Sequence, residues 1–114
     1  MTRPPVFRIL TSGSGSRVEI AIHGELDLAT APRLEAEFER VGALDGVTLV
    51  IADLRKLAFL DSTGLEVIMQ FDARLRAAGG EFVVVRGPRA VERLFDVMQL
   101  HRRLRIIDDP AELR

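Results

Sequence analysis

Two short and almost unbroken apolar runs, VTLVIAD (47–53) and EFVVV (81–85), constrain the fold of this chain more than any other feature. Continuous apolar runs are typical of parallel strands with both faces covered, so we predict a central strand at the first run and a further buried strand at the second. Between them, a segment from about Ser62 to Ala78 shows helical spacing and ends at the glycines 79–80. Its apolar stripe consists of Gly64, Ile68, Phe71 and Leu75. Strand–helix–strand order indicates parallel strands joined by a crossover helix.

The N-terminal part of the chain predicts a β-hairpin. VFRIL (6–10) is a short apolar run, TSGSGS (11–16) reads as a flexible connector of turn residues, and RVEIAIH (17–23) alternates apolar with polar side chains. A period of two that follows a Gly/Ser turn predicts a hairpin with one face in water.

Helical periodicity marks two further segments. Thr30 is a good N-cap before Pro32, and the helix that it opens ends near Gly42. Its apolar residues are Ala31, Leu34, Phe38 and Val41. Pro88 opens a third helix. The apolar residues of that helix are Val91, Leu94, Phe95 and Met98.

The elements therefore follow the order ββαβαβαβ, with LRII (104–107) as the last strand. This order predicts an α/β fold, a mixed sheet with flanking helices. A chain of 114 residues is of ordinary size for one domain. We predict a single domain over residues 1–114, with its core at about 6–107 and a polar tail at 108–114.

Composition excludes several classes of function. Sixteen Lys and Arg against 17 Asp and Glu leave a net charge of −1, which argues against a basic face for nucleic acid or a polybasic membrane patch. The absence of Cys excludes disulfides, thiolate catalysis and Cys-based zinc sites. The N-terminal residues lack the apolar core of a signal peptide. We expect a cytoplasmic protein with no cofactor, no metal, no direct nucleic-acid contact and no membrane contact.

Three polar residues, Asp61, Ser62 and Thr63, stand side by side between two apolar stretches. Thr63 and Glu66 match the T-x-x-E capping box, which favours Thr63 as the helix cap, although Asp61 or Ser62 could take that position. A helix needs one such cap, so two of the three residues are left for another role. Gly64 in the first helical turn indicates that some group approaches the backbone closely.

The chemistry of this junction has three alternatives. A serine hydrolase would have G-x-S-x-G, but Leu60 stands where the first Gly belongs, and neither His23 nor His101 has an obvious carboxylate to orient it. No phosphate-binding loop is present. The remaining alternative makes the hydroxyl of Ser62 the acceptor of a phosphoryl group from another protein. We therefore predict a protein that is not itself an enzyme.

Three stretches of this sequence carry a resemblance to a known family: GELDLATAPRLE (24–35), LVIADLRKLAFLDSTGLEVIM (49–69) and GGEFVVVRGPRAVERLFD (79–96). Together they resemble the anti-sigma factor antagonists, which are small bacterial STAS domains. The combination of G-E-L-D with a downstream D-S-[ST]-G makes the resemblance specific, and it extends over nearly the whole chain.

The resemblance implies a partner-switching protein in transcription regulation. The expected partner is an anti-sigma factor with a histidine-kinase-like ATPase fold, which is also a serine kinase, and binding it releases the sigma factor. The kinase would phosphorylate Ser62, and a metal-dependent serine phosphatase would reverse this. The partner-binding residues expected from the family motif are Asp27, Asp61, Ser62, Thr63 and Gly64. The alternative is a STAS interaction module in a sensor scaffold or lipid-transport complex without a phosphorylation cycle.

Several smaller expectations remain. Related chains often carry Gly near the end of the third helix, where this chain has Gln99, so that helix is expected to end differently. HRRLR (101–105) is expected to be a solvated loop, and the serines of 11–16 part of a flexible turn. Asp53 either shapes its own loop or joins the partner face. Five phenylalanines are predicted to lie in the core: Phe38, Phe59, Phe71, Phe82 and Phe95.

Overall fold

A six-stranded mixed sheet with three α-helices organises the described part of the chain. The computed structural model describes residues 6–113, without the side chains of Ser14 and His101. The strands are β1 (Arg8–Ser14), β2 (Arg17–Leu26), β3 (Leu49–Asp53), β4 (Leu57–Leu60), β5 (Glu81–Val85) and β6 (Arg105–Ile107). The helices are α1 (Ala31–Gly42), α2 (Ser62–Ala77) and α3 (Arg89–Val97), and short 3-10 helices span Leu100–Arg102 and Pro110–Leu113.

The sheet has the order β1-β2-β3-β5-β6, with β4 paired to β2 alone. β1 and β2 form the antiparallel hairpin, and the pairs that follow across β3, β5 and β6 are parallel. The predicted α/β class with a mixed sheet and flanking helices is confirmed. The chain adds one strand, β4, to the predicted order.

β2 changes partner along its length. Its first half, Arg17 to Ala21, pairs with β3, and its last three residues, Gly24 to Leu26, pair with β4. The register shifts between Gly24 and Glu25, as at a β-bulge, where an extra residue bends the strand. The ends of β2 and β4 therefore lie side by side, and both point toward the start of α2.

Two local predictions at the strands were wrong. Residues 11–16 are not a flexible connector, because β1 continues to Ser14 and only Gly15 and Ser16 form the turn. Residues 57–60 form β4, a strand that the predicted order ββαβαβαβ lacks. In both segments the backbone N–H and C=O groups find their partners on β2. In β1 this pairing outweighs the weak strand propensity of Gly and Ser.

The helices cover one face of the sheet. α1 and α2 contact each other, and α2 also contacts β5. Three phenylalanines hold these layers together: Phe38 and Phe71 stack with ring centroids 4.2 Å apart, and the Phe82 ring meets both edge-on. These three and Phe95 are buried as predicted. Phe59 is 48% exposed, so its predicted core position was wrong.

The opposite face of the sheet has no helical layer among the described elements. A second, smaller core cluster lies on this face and consists of Ile51, Val83, Val85 and Ile107. Leu113, in the C-terminal 3-10 helix, packs against this cluster. The N–H groups of Asp108 and Asp109 both donate to Glu112 Oε2 at 2.8 Å, and this fixes the segment locally. The predicted polar tail therefore contributes a side chain to the core.

The end of α3 differs from expectation. Gln99 adopts the left-handed conformation, with φ 53° and ψ 42°, so the helix ends as it would with Gly at this position. Leu94 is only half-buried and Met98 is exposed, whereas Val91 and Phe95 are buried. The predicted apolar stripe of α3 is thus only partly used by the core. HRRLR (101–105) is not a plain loop, because it contains part of a 3-10 helix and the start of β6.

Replacing Gln99 by Gly is expected to raise the free energy of unfolding by about 0.5–1 kcal/mol. The left-handed conformation costs a side-chain-bearing residue about 1 kcal/mol, and the greater freedom of Gly in the unfolded chain offsets part of that relief. Urea unfolding of both chains measures the change. Equal or lower stability of the variant would show that Gln99 is not strained.

Candidate protein-interaction site

The three polar residues of the DSTG motif lie at the carboxyl end of β4, next to the loop that follows β2. Leu26 pairs with Leu60 as the two strands end, and the N–H of Asp61 donates to the carbonyl oxygen of Leu26 at 3.2 Å. The loops after parallel strands meet at one edge of a sheet, where binding sites concentrate in α/β folds. Asp27 and Asp61 are therefore neighbours in the fold although they are distant in sequence.

Asp61 is the N-cap of α2. Its backbone is extended, and its Oδ1 accepts a hydrogen bond from the N–H of Gly64 at 2.9 Å. The prediction that favoured Thr63 was wrong, and the alternative that named Asp61 is confirmed. Ser62 is then the first helical residue, exposed to solvent, and Thr63 is the second, half-buried. The hydroxyl of Ser62 is left available at a fixed corner of the backbone.

Asp27 shapes the neighbouring loop. Its Oδ1 accepts hydrogen bonds from the N–H groups of Ala29 and Thr30 at 2.9 and 3.1 Å. Thr30 stands at the N-cap position of α1 as predicted, but its hydroxyl makes no capping bond to that helix. Instead it donates to the carbonyl oxygen of Glu25 and accepts from the N–H of Asp27. This loop is therefore held in one conformation by its own polar side chains.

Gly64 is buried, and the close approach predicted for it is confirmed. A Cβ at this position would lie 2.5 Å from Cγ of Leu26 and 3.0 Å from its carbonyl oxygen. Leu26 is itself fully buried. The missing side chain lets the first turn of α2 rest on the end of β2, so Gly64 supports the site from beneath and its contact is with this chain.

Two exposed apolar side chains flank the site, and neither is predicted from the sequence as a site residue. Leu28, directly after Asp27, is 73% exposed, and Phe59, two residues before Asp61, is 48% exposed. Phe59 pairs with Glu25 on β2, next to the same loop. The signal for Leu28 was available, since a large apolar residue in a polar turn seldom has a core position to fill. Apolar residues within a polar rim are typical of protein interfaces.

Asp53 shapes its own loop, which is the first of the two roles predicted for it. Its Oδ1 accepts from the N–H of Arg55 at 3.0 Å, and its Oδ2 pairs with the guanidinium at 2.8 Å. Burial raises the pKa of Asp53, but the hydrogen bonds from Arg55 outweigh it and hold the pKa below its usual value. Asp53 therefore shapes the loop between β3 and β4 and stays ionised.

The hydrolase alternative gains no support from the geometry. His23 lies in β2 opposite Arg8 of β1, and it makes no hydrogen bond to Ser62 within residues 6–113. The side chains of His101 and Ser14 lie outside the described part of the chain. No cluster of three or more potential metal ligands occurs among the described residues. No helix within this range has the length and apolar content needed to cross a bilayer.

Replacing Asp61 by Ala is expected to lower the free energy of unfolding by about 1 kcal/mol, because the N–H of Gly64 loses its partner. Asp61→Asn keeps an oxygen that can accept this bond and is the matched control, with a smaller loss. Thr63→Ala is expected to cost less than Asp61→Ala. Urea unfolding measures all three, and an equal loss for Thr63→Ala would contradict the assignment of Asp61 as the cap.

Comparisons with known proteins agree with this architecture. The family model of the STAS domain matches residues 9–113. The anti-sigma-B factor antagonist of Listeria monocytogenes is 32% identical over 83 residues, which cover 73% of this chain and 72% of that protein. The anti-sigma-F factor antagonist RsfB of Mycobacterium tuberculosis is 28% identical over 106 residues, covering 93% and 85%. The crystal structure of an anti-sigma factor antagonist from Mycobacterium paratuberculosis superposes with a TM-score of 0.84 at 25% identity, covering 94% and 90%.

Proposed function

Because this chain belongs to the STAS domain family, we propose that it is an anti-sigma factor antagonist whose binding is switched off by phosphorylation of Ser62. The partner is an anti-sigma factor of the histidine-kinase-like ATPase class, and binding it releases a sigma factor in the cytoplasm. The same partner phosphorylates Ser62, and a metal-dependent serine phosphatase restores the free hydroxyl. The observation that carries the proposal is the exposed Ser62 at the first position of α2, beside an Asp61 whose carboxylate is occupied as the helix cap.

The location of Ser62 explains why the fold would tolerate the modification. A phosphoserine adds about −1.5 to −2 charges at neutral pH. The N-terminus of a helix favours negative charge by about 0.3–1 kcal/mol, whereas the neighbouring carboxylate of Asp61 opposes it. Since the side chain is exposed, the phosphate displaces no packed group. The phosphorylated chain is therefore expected to keep its structure.

The same charge would be costly inside an interface. A dianion in a packed contact loses its water or meets a like charge, at a cost of about 2–5 kcal/mol. Every 1.4 kcal/mol is about tenfold in affinity, so phosphorylation would release the partner. The contact surface that we propose is formed by Asp27, Asp61, Ser62 and Thr63, with Gly64 beneath it, and by the flanking Leu28 and Phe59.

The test is a phosphorylation assay. Each anti-sigma factor of the histidine-kinase-like ATPase class from the source genome is purified and incubated singly with this chain and ATP, and intact mass is measured. We expect one of them to add a single phosphate to the wild-type chain and none to Ser62→Ala. Ser12→Ala and Ser16→Ala are the matched controls and should accept phosphate normally.

Two results would change the proposal. A Ser62→Ala chain that still gains phosphate would overturn the assignment of the acceptor. Tight binding by an anti-sigma factor without any phosphate transfer would favour a STAS interaction module without a phosphorylation cycle.

A further inference from the structure

An apolar groove runs between α2 and α3, and Ser62 lies on its rim. The groove has a volume of about 320 Å³. Its apolar walls are formed by Leu65 and Met69 of α2, by Leu94 of α3 and Met98 directly after it, and by Leu100 of the following 3-10 helix. Glu66 and Arg103 line it as well and place one charge of each sign on its border.

The walls of the groove include one apolar side chain that the core does not use. On α3, Val91 and Phe95 are buried and Leu94 packs half-buried against the core, whereas Met98, directly after the helix, is 54% exposed. Exposing a large apolar side chain such as Met98 to water is unfavourable, so its burial against a partner would be favourable. Methionine is common on binding surfaces because its flexible side chain adapts to a partner.

The occupant of the groove follows from its distance to the phosphorylation site. Any enzyme that transfers a phosphoryl group to Ser62 must lie over this residue in the complex. A specific interface covers roughly 800 Å² on each partner. A patch of that area centred on Ser62 extends about 16 Å in every direction, so it covers the groove that Ser62 borders. The protein that phosphorylates Ser62 would therefore also contact the walls of the groove.

We propose that the groove receives apolar side chains of the anti-sigma factor and that phosphate on Ser62 closes it to them; this inference rests on the proposed function. Charge complementarity assigns the partner a cation opposite Glu66 and an anion opposite Arg103. The phosphate places a dianion at the mouth of the groove. An apolar side chain that entered would strip water from that dianion without offering it a hydrogen bond.

Two adjacent residues at the end of α3, the last helical residue Val97 and the C-cap Met98, provide a matched test. Met98 borders the groove, whereas Val97, which is 72% exposed, does not. Met98→Asp and Val97→Asp carry the same charge at the same helix end. We expect Met98→Asp to raise the Kd for the purified anti-sigma factor that binds the wild-type chain by about 100-fold, and Val97→Asp by less than about threefold. Titration calorimetry measures Kd, and circular dichroism checks that both variants are folded.

A second pair tests the charged border without changing the apolar walls. Arg103→Glu is expected to raise Kd about tenfold, because it repels the anion assigned to the partner, whereas Arg102→Glu at the exposed neighbouring position should change it little. Wild-type affinity in Met98→Asp and Arg103→Glu would overturn the groove and leave the proposed function standing. If none of the purified anti-sigma factors binds the wild-type chain, the proposed function fails, and the groove proposal fails with it.

Discussion

Replacing Ser62 by Asp is expected to weaken binding of the anti-sigma factor by about 100-fold, which corresponds to about 2.7 kcal/mol. The new carboxylate stands where the hydroxyl was, at the first position of α2, and it must lose its water when the partner packs against it. Phosphoserine carries more charge than aspartate and should weaken binding further. Titration calorimetry with the purified anti-sigma factor measures the loss.

The control for this experiment is Ser62→Asn, which has nearly the same shape as Ser62→Asp and no charge. We expect Ser62→Asn to bind within about tenfold of the wild-type chain, a loss of at most about 1.4 kcal/mol, because the neutral amide has no charge to desolvate and retains hydrogen-bonding capacity. The free energy of unfolding of Ser62→Asp should equal or slightly exceed that of the wild type, because a negative charge favours the helix N-terminus. Equal losses of affinity for both variants would show that the shape of the side chain at position 62, and not its charge, weakens binding of the anti-sigma factor.

Replacing Gly24 by Ala is expected to lower the free energy of unfolding by about 3 kcal/mol. Gly24 has a φ of 90° and lies at the register shift where β2 leaves β3 and turns to β4. A Cβ there would lie 2.7 Å from the carbonyl oxygen of Val6 and 2.9 Å from Cα of Phe7, which are backbone atoms that cannot rotate away. A strained backbone conformation costs about 1–3 kcal/mol, and overpacking adds a similar amount. Urea unfolding measures the loss.

Gly46→Ala separates the two costs. Gly46 also has a positive φ, 81°, but a Cβ there would meet nothing within 4 Å. Its substitution should therefore cost only the backbone strain, about 1 kcal/mol. The difference between the two variants measures the close contact with the N-terminal segment. If Gly24→Ala costs no more than Gly46→Ala, the chain relieves the contact by moving residues 6–7.

The bend at Gly24 also positions the candidate interaction site around Asp27 and Ser62. Gly24 begins the G-E-L-D motif, and the bend at this residue carries the end of β2 beside β4. That bend allows the N–H of Asp61 to reach the carbonyl oxygen of Leu26. The motif around Asp27 and the motif around Ser62 are therefore two parts of one corner. Loss of the bend is expected to weaken anti-sigma factor binding together with stability.

Periodic patterns were sufficient to predict most of the helices and strands. The stripes of α1 and α2 are buried as predicted, and β3 and β5 lie where the apolar runs indicated. These predictions succeeded because a residue that recurs on one face of an element meets the same environment throughout. Periodicity did not predict where β1 ends. Pairing with β2 extends β1 to Ser14, so within residues 11–16 the turn consists of Gly15 and Ser16 alone.

Short segments and single side chains depended on the tertiary structure. β4 has four residues, too few for a period to appear, and it exists because β2 turns to pair with it. Phe59 is 48% exposed, although it lies in β4 between the buried Leu57 and Leu60, a placement that composition does not reveal. The groove between α2 and α3 likewise arises from how two helices are placed, and neither helix shows it alone.

The DSTG segment separates the two kinds of information most clearly. The sequence by itself determined that three polar residues stand at the start of a helix, that only one of them is needed as a cap, and that Gly64 must meet a close neighbour. Only the tertiary structure decided that Asp61 is the cap and Leu26 the neighbour. The physical reason is that a cap depends on backbone angles, and those of Asp61 are set by its hydrogen bond to β2, a strand far away in sequence.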